Sequence, residues 1–462
     1  MKFCFLKRSL NKLVAIAIGL TLLQCSPTTA TDGWKQLPGI LEQIVAPEFP
    51  NVHFLVTDYG AIGDGEFNCG SAFKKAIQAC HEQGGGHVVV PAGVFLTGAI
   101  HLKSNVNLHL EQDAIIRFSR DYDQYLPVVL TRFEGVECMN YSPFIYAFEQ
   151  THIAITGKGV LDGQADDHTW WYWALPDENG IQVQKTDRDM LFKMGEDSIP
   201  VEKRIFGKGH YIRPNFIQFY RCSNILVEDV SIRRSPMWEI HPVLSSNVTV
   251  RGVNIVSHGP NNDGCNPESC RDVLIEGCYF NTGDDCIAIK SGRNGDGRRV
   301  NVPSENIIIR DCSMKDGHGG VVIGSEISGG CRNVFAENCV MDSPNLERAL
   351  RIKTNSSRGG LVENIHMRHI QIGEVSDAVL RVNFNYELGD IGQFTPVVRN
   401  VYMSHVSSEK SKFALFLDGY ERSPITGIYL DSCTFNGVTD GNFINHARDL
   451  HMQDVTINGK IQ

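Results

Sequence analysis

One short pattern recurs from about residue 150 to the end of the chain, and it fixes what the chain can fold into. It runs Asn, an apolar residue, any residue, an apolar residue, two polar residues, Val or Cys, any residue and a last apolar one. It reads Asn224-Ile225-Leu226-Val227 through to Ile232, Asn247-Val248-Thr249-Val250 to Ile255, Asp272-Val273-Leu274-Ile275 to Phe280, and Asn306-Ile307-Ile308-Ile309 to Met314. Further copies begin at Asn333, Asn364 and Asn400, with weaker ones near Ile425 and Asp449. Alternation with a period of two says strand, not helix. The copies start roughly 22 to 36 residues apart, the spacing of solenoid repeats. One copy has an apolar face too small to be stable alone, so copies must stack, and aligned Asn side chains can then bond along the stack. The expected fold is all-β: a right-handed parallel β-helix. The irregular repeat length, with a fixed strand motif and variable turns, fits a sandwich or propeller less well.

Around this core the 462-residue chain divides simply. Residues 1–30 have the form of a signal peptide, with Lys2, Lys7, Arg8 and Lys12 ahead of the apolar run Leu13–Leu23 and small residues at Thr28-Thr29-Ala30. Leu22-Leu23-Gln24-Cys25 loosely matches a lipoprotein site, but Gln before Cys is unusual, so cleavage after Ala30 is the stronger reading. Export to the periplasm or beyond is expected, with no membrane-spanning segment after cleavage. Residues 31–53 read as a Pro-rich linker and 54–462 as a single β-helix domain. Within it, Ser71–Gln83 has helical spacing, with Phe73, Ala76, Ile77 and Cys80 on one face, Ser71 as cap and Gly84-Gly85-Gly86 as stop. This is the short N-terminal capping helix. From Gln164 to Arg213 the repeat is missing, and Trp170-Trp171-Tyr172-Trp173 lies in a long insertion of the sort that often forms a lid or wall.

Signal cleavage takes the formal charge from −10 to −14, because four basic residues and no acid leave. That balance argues against nucleic acid as a partner. Fourteen cysteines in an exported chain raise the question of disulfides. Cys278, Cys312, Cys339 and Cys433 hold equivalent repeat positions, as small buried residues stacked in a row would. Cys265 and Cys270 flank a turn that a bridge would fit.

Stacking also puts the polar turn residues in register. Asp263 follows one strand, Asp284-Asp285 the next, Gly317-His318-Gly319 the next, and Arg351-Ile352-Lys353 the one after. Arg351 and Lys353 are two apart on an extended segment and point the same way. Four successive coils thus bring three carboxylates, an imidazole and two cations to one side. Hydrolysis of a glycosidic bond needs one carboxyl protonated toward the leaving oxygen and another ionised toward water. Crowded carboxyls cannot all ionise, so one is held protonated into a useful range. Arg351 and Lys353 suit a sugar that is itself a carboxylate. Taken singly, an Asp-Asp turn or an Arg-x-Lys is usually solvated surface; their coincidence on one face is what carries the reading. A calcium site is the other use of clustered carboxylates, but the neighbouring cations would compete with it.

With these residues in place the chain resembles glycoside hydrolase family 28, the polygalacturonases, in the pectin lyase-like β-helix class. The four family motifs occur in order: Asn261-Asn262-Asp263, where Thr is usual at the middle position, Gly283-Asp284-Asp285, Gly317-His318-Gly319 and Arg351-Ile352-Lys353. Similarity runs from Asp58-Tyr59-Gly60-Ala61 through Leu161-Asp162-Gly163 and Ser235-Pro236-Met237-Trp238. The resemblance implies inverting hydrolysis of α-1,4-linked galacturonate in pectin, with no metal or organic cofactor. By position, Asp284 would be the general acid, Asp263 with Asp285 would activate water, and His318 would support the acid's protonation. Arg351 and Lys353 would hold the galacturonate carboxylate and Asn261 would help bind sugar. Inversion implies roughly 6.5–9.5 Å between acid and base. The Gln164–Arg213 insertion resembles those of exo-acting bacterial relatives, so exo action is expected ahead of endo action or of branched pectin such as rhamnogalacturonan. A calcium-dependent lyase and a non-catalytic carbohydrate-binding solenoid account for fewer of the motifs.

Other residues divide between roles. Lys290 and Arg293 suit either a second acidic sugar or plain surface, Trp238 suits packing, and Tyr386 suits core or surface packing more than stacking on a sugar. Trp170, Trp171 and Trp173 either wall the cleft or bury against the solenoid.

Overall fold

The computed structural model describes residues 31–462, so the signal sequence, Cys4 and Cys25 lie outside the described residues. The chain winds as a parallel β-helix. Each repeat strand pairs in parallel with its counterpart one coil on, and the register runs unbroken through Ile225, Val248, Val273, Ile307, Val334, Ile365, Val401 and Ile428. All eight side chains are buried, forming one column of the core.

The repeated Asn has a specific job. Asn224, Asn247, Asp272, Asn306, Asn333, Asn364 and Asn400 all sit at φ between 53° and 59°, a left-handed conformation that Asn and Asp tolerate better than most residues. Their side chains form a ladder along the axis: Asn247 donates to Asn224 at 2.6 Å, Asn306 to Asp272 at 2.9 Å, Asn333 to Asn306 at 3.1 Å, Asn364 to Asn333 at 3.3 Å and Asn400 to Asn364 at 3.1 Å. Each rung turns the chain into a new strand and pins it to the coil below. The expected thiol row is present too: Cys278, Cys312, Cys339 and Cys433 are buried and free. Cys265 and Cys270 are also free and buried, which corrects the expected bridge. Instead, Cys270 Sγ donates to the carbonyls of Pro242 and Glu268.

Helix α1 (Thr31–Trp34), α2 (Leu37–Leu41) and α3 (Gly70–Glu82) precede or cap the coils. The stretch read as a linker is strapped to the outside of the β-helix: Trp34, Leu37 and Ile40 pack on Leu274, Ile308 and Phe335. Farther along, Val45 exchanges two hydrogen bonds with the Asn247 side chain, at 2.9 and 2.8 Å. Helix α3 closes the first coil with Phe73, Ala76, Ile77 and Cys80, as its spacing implied. Ser71 does not cap it. Cys69 stands at the N-cap without a side-chain bond, and Asn68 Oδ1 accepts the Gly70 N–H at 2.9 Å, a local turn that outcompetes the serine.

The insertion builds structure of its own. Trp170 and Trp173 are buried among Tyr122, Tyr125, Tyr141 and Phe144, so these two serve packing. Trp171 donates Nε1–H to the Ser235 carbonyl at 2.7 Å and lies so close to Gly259 that a Cβ there would meet its ring at 2.2 Å. Helix α4 (Val183–Glu196) follows, and its Leu191 packs with Phe133, Val136 and Trp238. Phe133 and Val136 belong to an antiparallel hairpin, Val129–Phe133 with Val136–Asn140, that stands out from the coils.

The ladder predicts a stability cost at its middle rung. Asn364→Ala removes two hydrogen bonds and leaves a Cβ-bearing residue at φ 58°, an expected loss of about 2–4 kcal/mol. Asn364→Gly should recover the conformational share. Chemical denaturation of both variants checks this; equal losses would remove the backbone from the explanation.

Candidate active site

The site grows from turns on successive coils. Asp263 lies in the turn after the strand Asn254–Ser257. Asn262, at the position where Thr is usual, is fully buried and locks that turn. Its Oδ1 accepts from Ser257 Oγ at 2.7 Å and the Gly259 N–H at 2.8 Å, and its Nδ2 donates to the carbonyls of Ser235 and Met237 at 3.1 and 3.0 Å. Asp284 and Asp285 occupy the next turn. Gly317 lets His318 approach them: its φ is 151°, and a Cβ there would stand 2.6 Å from the Asp284 carbonyl. Arg351 and Lys353 project from the strand Arg348–Lys353.

One oxygen from each of Asp263, Asp284 and Asp285 lies within 4.8 Å of the others. This is closer than the roughly 6.5–9.5 Å that inversion led us to expect. The spacing still suits a single water, since two hydrogen bonds of about 2.8 Å meeting at a water's angle span about 4.5 Å. The three acids are differently held. Asp263 Oδ2 accepts from Asn266 Nδ2 at 2.7 Å and faces Lys290 Nζ at 3.6 Å. Asp285 is paired with Lys353 at 2.7 Å and Arg351 at 3.5 Å. Asp284 Oδ1 meets His318 Nδ1 at 2.9 Å. Their side chains are 3%, 1% and 17% exposed respectively, so Asp284 is the carboxyl that opens to the cleft. The three oxygens have the spacing to hold a cation, but Lys290 and Lys353 already serve two of the carboxylates.

Electrostatics separates the acids further. Burial, reinforced by the charge of Asp284, pushes Asp263 well above the carboxylate range. Burial acts the same way on Asp284, but the His318 hydrogen bond and the Lys353, His318 and Lys290 charges outweigh it and hold Asp284 at about 2. The same hydrogen bond lifts His318 to about 9 against burial. In the free site burial biases Asp263 toward its protonated form, and the His318 hydrogen bond biases Asp284 toward its ionised form. This differs from the expectation that His318 favours protonated Asp284: a cation at hydrogen-bond distance favours the ionised acid.

A cavity of about 350 Å³ contains all eight residues picked out from the sequence: Asp263, Asp284, Asp285, His318, Arg351, Lys353, Asn261 and Lys290. Asn261 is held there at φ 57°, with its Oδ1 accepting from Arg213 Nη2 at 2.6 Å. Lys290 is buried over the Trp238 ring at 4.5 Å. Arg293 is buried as well, 3.3 Å from Glu326 and 3.7 Å from Glu134, which overturns its surface reading. Tyr386 also lines the cavity, with Arg351 and Lys353 at 5.5 and 5.4 Å from its ring, in place of the expected packing role.

Sequence reasoning missed the rest of the wall. Glu134 at the hairpin tip takes Arg188 of α4 through three hydrogen bonds of 2.6–3.0 Å. Glu326 lies between Lys290 at 3.2 Å, Arg293 and Arg358, whose charges hold it well below the usual range despite its burial. Glu387 pairs with Arg358 at 3.1 Å. None carries a repeat signal, and only the Glu134-Gly135 turn dipeptide hinted at a hairpin.

A parallel β-helix with an acid triplet, an imidazole and paired cations in one cleft defines a polysaccharide-processing class of β-helix protein. The comparisons agree: the family model for glycosyl hydrolases family 28 matches residues 202–451, and the chain belongs to that family. A probable polygalacturonase of Vitis vinifera is 30% identical over 397 residues, covering 82% of this chain and 74% of its own. An exo-poly-alpha-D-galacturonosidase of Dickeya chrysanthemi is 29% identical, covering 72% of this chain and 57% of its own. The crystal structure of a hyperthermoactive exopolygalacturonase from Thermotoga maritima superposes with a TM-score of 0.90 at 47% identity, covering 93% of this chain and 97% of that one.

The His318–Asp284 pair sets a pH-dependent stability. His318 is raised from 6.5 to about 9, so its share is full below about 6.5 and fades as pH rises through about 9. Asp284 is lowered from 3.8 to about 2, so its share is full above about 3.8 and fades as pH falls through about 2. The Tm gap between wild type and His318→Ala should be widest between about pH 4 and 6.5 and should close near pH 10. A gap that does not change with pH would show that the pair contributes no linkage.

Proposed function

We propose that the protein is an exo-acting polygalacturonase that inverts configuration as it cleaves α-1,4-linked galacturonate from chain ends. The observation that carries this is the meeting of Asp284, the one acid of the triplet open to the cleft, with Arg351 and Lys353 in one cavity. Arg351 and Lys353 hold a galacturonate carboxylate, with Asn261 and Lys290 lining its neighbour's place. A bound sugar displaces water, and a buried ion pair then becomes costly relative to its neutral form. The proton moves from His318 to Asp284, which passes it to the leaving glycosidic oxygen. A water held between Asp285 and Asp263 gives its proton to Asp285, and its oxygen attacks the anomeric carbon from the opposite face. Asp263, already protonated, positions that water.

Exo action is supported by the side wall. Arg188 and Glu134, which belong to no repeat, line the cavity together with Trp238 and Lys290, and in this reading they end the groove on that side. The 47%-identical Thermotoga maritima exopolygalacturonase agrees with this reading. Residues 1–30 carry the proposal of export, and the burial of all twelve described cysteines fits a chain that meets an oxidising compartment with its thiols shielded.

Time-resolved product analysis on polygalacturonate should give only mono- or digalacturonate from the start, with the inverted anomer seen first by proton NMR. An early ladder of oligomers would replace exo with endo action. Absorbance from an unsaturated product, abolished by chelator, would replace the hydrolase with a lyase. Asp284→Asn should lower kcat by about 10²–10⁴-fold with little change in KM.

A further inference from the structure

The row of side chains that holds Arg351 does not stop there. Strand register continues the same outward-facing row through Arg381, Phe416 and Phe443, one residue per coil. These three side chains touch. The Arg381 guanidinium lies 3.7 Å above the Phe416 ring, and Phe416 stacks on Phe443 with centroids 4.5 Å apart and planes 18° from parallel. Asp377 fixes Arg381 from the side, accepting from Nη1 at 2.7 Å, and also takes Arg348 at 2.6 Å. Arg381 is therefore held in place while its side chain stays 19% exposed, and Phe443 is 40% exposed.

We infer that Arg381, Phe416 and Phe443 form a track that binds the polymer beyond the scissile bond, with Arg381 taking the carboxylate of the third galacturonate. This rests on the exo reading above. With the chain end seated against Glu134 and Arg188, as that reading has it, the remaining polymer leaves over the coils that follow Arg351. Consecutive strands stand about 4.8 Å apart, so the row offers one contact per coil along that path. A guanidinium stacked on a phenyl ring keeps its N–H edge for a uronate, and the ring edges of Phe416 and Phe443 offer apolar surface to the sugars that follow. The other charges near Arg381 are Asp377, Arg348 and Arg351. Asp377 holds two guanidiniums at once, so it does not use up the hydrogen-bonding capacity of Arg381.

The test is the ratio of kcat/KM for trigalacturonate to that for digalacturonate. Digalacturonate ends before Arg381 and serves as an internal standard for folding and chemistry. The ratio should fall about tenfold in Arg381→Ala, the size expected for losing one charge-assisted hydrogen bond, and should also fall in Phe416→Ala, which removes the ring that supports the guanidinium. In wild type, raising salt should lower the ratio. A ratio unchanged in both variants, with wild type cleaving both oligomers, overturns the track alone. A wild-type protein that cleaves trigalacturonate but not digalacturonate releases dimers and overturns the placement of the third sugar at Arg381; one that cleaves neither oligomer overturns the exo reading and the track with it.

Discussion

The site depends on in-register parallel pairing from coil to coil. Asp263, Asp284, His318 and Arg351 are tens of residues apart, and no local structure would bring them together. The pairing does, and it holds only if every coil begins at the same place. The Asn ladder sets that starting place. Each rung has the left-handed backbone that starts a strand, and from Asn306 to Asn400 each side chain reaches back to the previous rung. A slip of one residue would send Arg351 into the core and Ile352 into the cleft, because side chains alternate along a strand. The chemistry is therefore a consequence of register, and the asparagines that hold register are none of the reacting groups.

Three carboxyls in one cleft would be a liability if they were equivalent. They are made different by what lies beneath each. Lys353 and Arg351 compensate Asp285, His318 compensates Asp284, and Asp263 has Lys290 at 3.6 Å, which must also serve Glu326 at 3.2 Å. Sharing one cation between two acids leaves Asp263 the least compensated, and burial adds to this. The network of buried Glu326, Arg293 and Arg358, with Glu387 at its exposed end, thus reaches the chemistry through Lys290 without touching a carboxylate of the triplet.

Much of this was legible in the sequence, for a physical reason. The repeat Asn, the apolar columns and the four turn motifs are set by local rules that recur, so each copy supports the others. The eight site residues share one cavity because stacking alone determines where they go. What was not legible lies where the chain leaves the repeat. Glu134 belongs to a hairpin whose place over the cleft depends on Gly135 fitting against the Arg293 backbone. Tyr386 reaches the cavity from an irregular loop, and Arg293 stays undecided in the sequence between sugar contact and surface because nothing local shows that Phe192 of α4 covers it. The 31–53 strap was hidden by its prolines, which signalled a linker although Trp34 and Ile40 had apolar surface to bury. The Ser71 cap failed on a local competition that Asn68 won.

A solenoid is nearly unchanged by translation along its axis, so a groove on its surface has no ends of its own. Every coil offers the next the same floor, and a bound polymer would slide along it unless something irregular intervenes. In this chain the irregular pieces are the hairpin Val129–Asn140 and α4, joined by the bidentate Glu134–Arg188 contact and packed together through Phe133, Val136 and Leu191. They belong to no repeat, and with the loop of Tyr386 and Glu387 they line the cavity that holds the acids. The coils therefore fix which bond can be approached, and the insertions fix from which direction a chain can approach it. The two can vary separately: a change in hairpin length or in the α4 contact alters access without moving Asp284, whereas a change in the ladder moves everything at once.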